Sequence, residues 1–190
     1  MSELLQKIYP TIGCCGVCCG LCPRLYIEGS SRCPGCCGLD FFNKHPSCAY
    51  VTCCVKKKKL EVCAQCDEFP CSKFQWLDDG QAHDSFVTHR MDKFNHEFVR
   101  NYGIERFVEH QNKRINLLKM MLKDYDDSRS KYFYCLAAAL LSIEEVEEAL
   151  HEAKQKIAQS DDKKTRAKVL KGLLNDCAMK ENVELRLKKG

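Results

Sequence analysis

Sixteen of the 190 residues are cysteine, and fourteen of them fall between Cys14 and Cys71. In chain order these are Cys14-Cys15, Cys18-Cys19, Cys22, Cys33, Cys36-Cys37, Cys48, Cys53-Cys54, Cys63, Cys66 and Cys71. The spacing is that of metal ligands. Two cysteines separated by two residues can wrap a tight knuckle, so that both sulfurs meet one ion about 2.3 Å away. Cys33-Pro34-Gly35-Cys36 and Cys63-Ala64-Gln65-Cys66 have that form, and Gly35 suits the turn. Cys15, Cys19 and Cys22 make a C-x3-C-x2-C run followed by Pro23, which is less typical of a zinc knuckle and keeps iron–sulfur chemistry in view. Adjacent cysteines usually point in different directions. Some of the fourteen are therefore expected to be spare, bridging or committed to separate sites. His45, the one histidine in this window, reads as a solvated loop residue.

Other chemistry is poorly supported. Asp67-Glu68 and Asp78-Asp79 are paired acids with His83 and His89 nearby, but surface carboxylates account for them better than an acid–base pair does. Ser128 to Tyr134 mixes hydroxyls, a cation and aromatics ahead of an apolar run, and reads as core packing with a polar start. No phosphate-cradling glycine loop or hydrolase elbow is present. Lys56 to Lys59 is the one concentrated basic run and reads as a solvated face.

Two regions must position these residues. The cysteine window also carries five glycines, with Gly13 just before it, and four prolines, with few periodic apolar faces. Such a segment cannot offset its chain entropy with apolar burial alone, so metal coordination is expected to supply the missing free energy. After Cys71 glycine and proline nearly vanish and apolar residues recur at helical spacing. Val87, Met91, Phe94 and Phe98 form one stripe ending near Gly103, and Ile104, Phe107, Val108, Gln111, Ile115, Leu118 and Leu122 form the next. Ser142 with Glu145 reads as a capping box, opening a helix with Val146, Ala149, Leu150, Ala153 and Ile157 inside. A cap at Ser160 to Asp162 precedes a helix burying Ala167, Leu170, Leu174 and Cys177, with Leu173 beside that stripe. Cys135 and Cys177 read as buried structural thiols. Val183, Leu185 and Leu187 alternate as a terminal extended segment. The expected fold is mainly α: a small irregular cysteine-rich, metal-stabilised lobe over 1–75, packed on an α-helical domain over 76–190.

The net charge is +4, from 30 basic and 26 acidic residues, so nucleic acid is not an expected partner. No leader-like start and no run of about 18 uncharged apolar residues occurs, which excludes a membrane partner and points to the cytoplasm. There thiols stay reduced, and dense cysteine favours metal over disulfides.

Three segments carry a family likeness: Cys15-Gly16-Val17-Cys18-Cys19-Gly20-Leu21-Cys22-Pro23, Cys33-Pro34-Gly35-Cys36, and Cys63-Ala64-Gln65-Cys66-Asp67-Glu68-Phe69-Pro70-Cys71. They resemble an uncharacterised cysteine-rich family of anaerobic bacteria and archaea, one of those named only as domains of unknown function. The likeness runs on through Tyr102 to Phe107 and Gln111 to Arg114, and the last 70 residues look like an extension. The resemblance implies Cys15, Cys19, Cys22, Cys33, Cys36, Cys48, Cys53, Cys63, Cys66 and Cys71 as metal ligands. Cys14, Cys18, Cys37 and Cys54 depart from the family pattern, and their roles stay open.

The leading functional expectation is a metal-binding module with structural Zn2+ closed by thiolates, presenting a surface to a protein partner. The alternative is an iron–sulfur protein, with a 4Fe-4S cluster and a redox role, an assignment that the resemblance to a family of anaerobes favours. Metal storage or thiol sensing is a lesser reading. Whether the chain is an enzyme, and its oligomeric state, are not fixed by these residues.

Overall fold

The computed structural model describes residues 7–45, 47–77, 84–158 and 161–188. Among these residues the chain is helical with no strand, which is the expected mainly α class. It divides into two compact units, residues 1–111 with 188–190 and residues 112–187.

The first unit begins with short turns. Single 3₁₀ turns occupy Cys19–Leu21, Pro23–Tyr26, Cys63–Gln65 and Ser72–Leu77, and helix α1 spans only Phe41–Lys44. Helix α2, Ala49–Val51, continues as a π-helical turn over Thr52–Lys57. Such turns are rare and concentrate at functional sites. The interior here is built largely of sulfur: Cys14, Cys36, Cys37, Cys54 and Cys63 pack with Phe41, Val51, Val55 and Phe74.

Helix α3, Asp92–Tyr102, closes this unit's helical side and ends at Gly103, whose φ of 88° stops it. Its buried face differs from the expected stripe. Asp92, Asn95, His96 and Val99 are buried, while Phe94 is 46% exposed. Part of this face meets polar backbone, since Asn95 Nδ2 donates to Gly16 O at 2.8 Å. His96 is sealed between Phe69 and Phe74, with ring centroids 4.4 and 5.0 Å away. Gly16 has φ 89°, and a β-carbon there would lie 2.8 Å from His96 Nε2. Only glycine lets the loop pass so close. Asp84 holds the far end of the chain, its amide donating to Lys188 O at 2.9 Å and its Oδ2 accepting from Lys188 N at 2.8 Å.

Helix α4, Ile104–Tyr125, continues into the second unit, followed by α5, Lys131–Leu140, α6, Ile143–Lys156, and α7, Lys163–Lys180. This unit follows the expected periodicity. Ile115, Leu118, Val146, Ala149, Leu150, Ala153, Ala167, Leu170, Leu174 and Cys177 are all buried. Ser142 Oγ accepts from Glu145 N at 3.3 Å, but the Ser142 amide donates to the Glu181 carboxylate at 3.1 Å, so a distant residue completes the box. Asp162 caps α7 through Thr165 N at 2.7 Å; Ser160 lies outside the described residues. Arg114 is buried and donates to Ala138 O and Leu141 O at 2.8 and 2.6 Å, satisfying carbonyls that α5 leaves open. Residues 183–187 alternate half-buried and exposed without pairing into a strand.

Candidate metal centre

The sulfurs of Cys14, Cys36 and Cys37 lie within 4.8 Å of one another, all three residues buried. Cys14 Sγ and Cys36 Sγ are 3.5 Å apart. Four sulfurs at 2.3 Å around a tetrahedral ion sit roughly 3.8 Å from each other, so this trio has the spacing of three corners. Cys54 packs in the same interior, outside the 4.8 Å group, and its thiol donates to Leu60 O at 3.3 Å.

Local backbone explains the convergence. Gly35, φ 86°, lies against Pro10 O, where a β-carbon would sit only 2.4 Å away. The Cys36 amide donates to that same oxygen at 2.7 Å. Cys37 then adopts φ 56°, the left-handed region that costs an L-residue roughly 1–2 kcal/mol. That turn brings its sulfur back toward Cys36, so these two adjacent cysteines do not diverge as neighbouring side chains ordinarily do. Strain of this kind persists where the surrounding structure demands it.

The electrostatics concentrate one negative charge in the trio. Hydrogen bonds from Cys14 and then Cys37 pull the Cys36 thiol well below the ordinary thiol range, against the effect of burial, with Lys7 adding to the pull. Cys14 is pushed up chiefly by Cys36, and Cys37 by Cys14 and then Cys36. Lys7 is itself buried and donates to Ile12 O. Burial alone would lower its pKa, but the charges of Cys36, Cys14 and Glu61 outweigh it and the pKa is raised. Two of the trio, Cys36 and Cys14, are thus among the charges that favour a charged Lys7 despite its burial.

The ten cysteines implied by the family resemblance occupy several places. Cys36 is in the trio. Cys15, Cys19 and Cys48 pack half-buried against the same sulfur-rich interior. Burial foremost pushes Cys15 up to about 12, with Asp92, Cys36 and Cys48 also raising it. Cys22 and Cys33 are half-buried, Cys22 raised mainly by burial and to a lesser degree by Cys33. Cys53, Cys63, Cys66 and Cys71 line one recess, together with Cys54. Cys14 and Cys37 stand outside those ten. None of the sixteen cysteines, all of them among the described residues, is in a disulfide.

A second constellation escapes the motif reading. Ser85 Oγ lies 3.1 Å from His89 Nε2, and His89 Nδ1 lies 2.8 Å from Oδ2 of the buried Asp92. The order is that of a hydrolytic triad. The Ser85 amide, however, donates to Val87 O at 3.1 Å, so the donor nearest the hydroxyl is spent inside the turn instead of facing an oxyanion. The row serves to tie residues 84–92 together. Asp78, Asp79 and His83 lie outside the described residues.

No helix among the described residues is long and apolar enough to cross a membrane. Compared with known proteins, the chain matches no family model, no curated protein and no solved structure.

Proposed function

We propose that this chain is a thiolate metal-binding protein in which Cys14, Cys36 and Cys37, with Cys54 as the fourth ligand, hold a structural zinc ion. The carrying observation is the convergence of three buried sulfurs within 4.8 Å, beside a buried lysine. Sulfurs that share a single ion stand this close, whereas a 4Fe-4S cluster takes each cysteine on a different iron and spreads them wider. A zinc ion enclosed by four thiolates has no open position and does no chemistry of its own. Its contribution is folding free energy, which the sulfur-rich interior of residues 7–77 needs. The module so formed is a platform for a protein partner, in a reducing compartment such as the cytoplasm. Its proposed kinship is with the cysteine-rich family of anaerobes whose motifs it shares.

Metal and acid-labile sulfide analysis, on protein purified without oxygen, tests the reading. Zinc is expected in the wild type, with at least one equivalent lost on Cys14→Ser and on Cys36→Ser. A protein without thiophilic metal, or serine variants that keep the full content, would overturn it.

A further inference from the structure

Outside the trio, four other cysteines line one recess, together with Cys54. Cys53 comes from the π-helical turn, Cys63 and Cys66 from the 3₁₀ knuckle, and Cys71 from the segment after it. The knuckle is closed by Cys66 N donating to Cys63 O at 2.9 Å and braced by Gln65 Oε1, which accepts from Glu61 N and Val62 N at 3.0 and 3.1 Å. The π turn is fixed in the same manner, Lys58 N donating to Cys53 O at 3.0 Å.

One contact separates this recess from ordinary buried cysteine. Lys58 Nζ lies 3.1 Å from Cys66 Sγ and 2.8 Å from Glu68 Oε1. A structural thiol packs as a small apolar group and needs no cation. An ammonium held at a sulfur is the partner of a thiolate, and N–H···S bonds to ligand sulfurs are a common way for a protein to support and tune a thiolate-bound metal. The basic run at 56–59, a solvated face by composition, thus contributes one residue with a specific partner.

We infer that Cys53, Cys63, Cys66 and Cys71 form a second thiophilic metal centre, separate from the trio, with the Lys58 ammonium as the hydrogen-bond donor to its Cys66 thiolate. The two centres use different sulfurs, and Cys54 lies between them, reaching Cys14 on one side and lining this recess on the other. Among the described residues, no three sulfurs of this set come within the mutual 4.8 Å that marks the trio. They line a hollow without the close approach of sulfurs that share one ion, which is the wider setting of a cluster.

Paired serine variants test the inference on the full chain. Zinc, iron and acid-labile sulfide are counted per chain, after anaerobic purification from cells supplied with both metals. The wild type is expected to carry two centres. Cys63→Ser with Cys66→Ser should lose one centre, whether as one zinc or as iron with its sulfide, and keep the other; Cys14→Ser with Cys36→Ser should do the reverse. A wild type with a single centre, or a Cys63/Cys66 variant with undiminished content, overturns the second centre and leaves the trio's zinc standing. Should both double variants lose all metal by failing to fold, Lys58→Met decides. It should speed the release of one centre, and not the other, to a chelator by about 10-fold, the scale of lost outer-shell support. Release unchanged at both centres would count against the proposal.

Discussion

Residues 7–77 and the helical unit over 112–187 hold themselves together in opposite ways. The helical unit buries aliphatic side chains at the period of a helix, among them Leu118, Leu170 and Leu174, each fully buried. The cysteine region buries sulfur, a lysine and strained turns; its sulfur cluster includes only Val51 and Val55 with two phenylalanines, and Ile12, Val17, Leu21 and Val62 are buried besides. Apolar burial stabilises diffusely, so the helical unit tolerates local change. Coordination is concentrated in a few bonds, so the cysteine region stands or falls with its ligands.

The sharpest way to break that contrast is to remove metal. Chelation under reducing conditions should withdraw on the order of 10 kcal/mol from the cysteine region, the scale of structural zinc binding. Hydrogen exchange read residue by residue should then show protection lost across 14–66 and retained in α6 and α7. Equal loss in both would mean that the helical unit also depends on metal.

The reverse experiment is Leu174→Ala. A fully buried leucine on α7 should cost about 2–5 kcal/mol, visible as a lower Tm, with the metal content of purified protein unchanged. Gly16→Ala should act on the other region. Its φ of 89° and the approach to His96 and Asp92 O leave no room for a β-carbon, and a cost of about 1–3 kcal/mol is expected, with faster metal loss to a chelator. Alkali sharpens the comparison more gently. Burial, helped by the Glu145 carboxylate, pushes Cys177 up from 9.0 to about 12. A raised acid stabilises the fold below its ordinary pKa and loses that contribution as pH climbs toward the raised one. Wild type should therefore lose more Tm than Cys177→Ala between about pH 8 and about pH 11.

Legibility in the sequence divides along the same line. Helices α6 and α7, their caps at Ser142 and Asp162, and the buried thiols Cys135 and Cys177 follow from apolar period and capping chemistry, because local rules decide them. Helix α3 defeats apolar counting, since its inner face carries Asp92, Asn95 and His96, held by His89, by loop backbone and between two phenylalanine rings. The cysteine motifs announced metal ligation as a class, and Cys36 of the trio is among the ten implied ligands. That Cys37 turns back beside it depends on a left-handed backbone at a non-glycine residue, which no composition signal marks. Lys58 was hidden for a related reason, because its partner Cys66 is chosen by a fold and not by spacing along the chain.

One backbone bond ties these sulfur sets together: Cys63 N donates to Cys14 O at 3.0 Å. Filling either centre fixes a strand of chain that the other must also order, and whichever ion arrives second meets an entropy cost already met. Half-loaded molecules should consequently be scarce during titration, and uptake should look sigmoidal even though no ligand is shared.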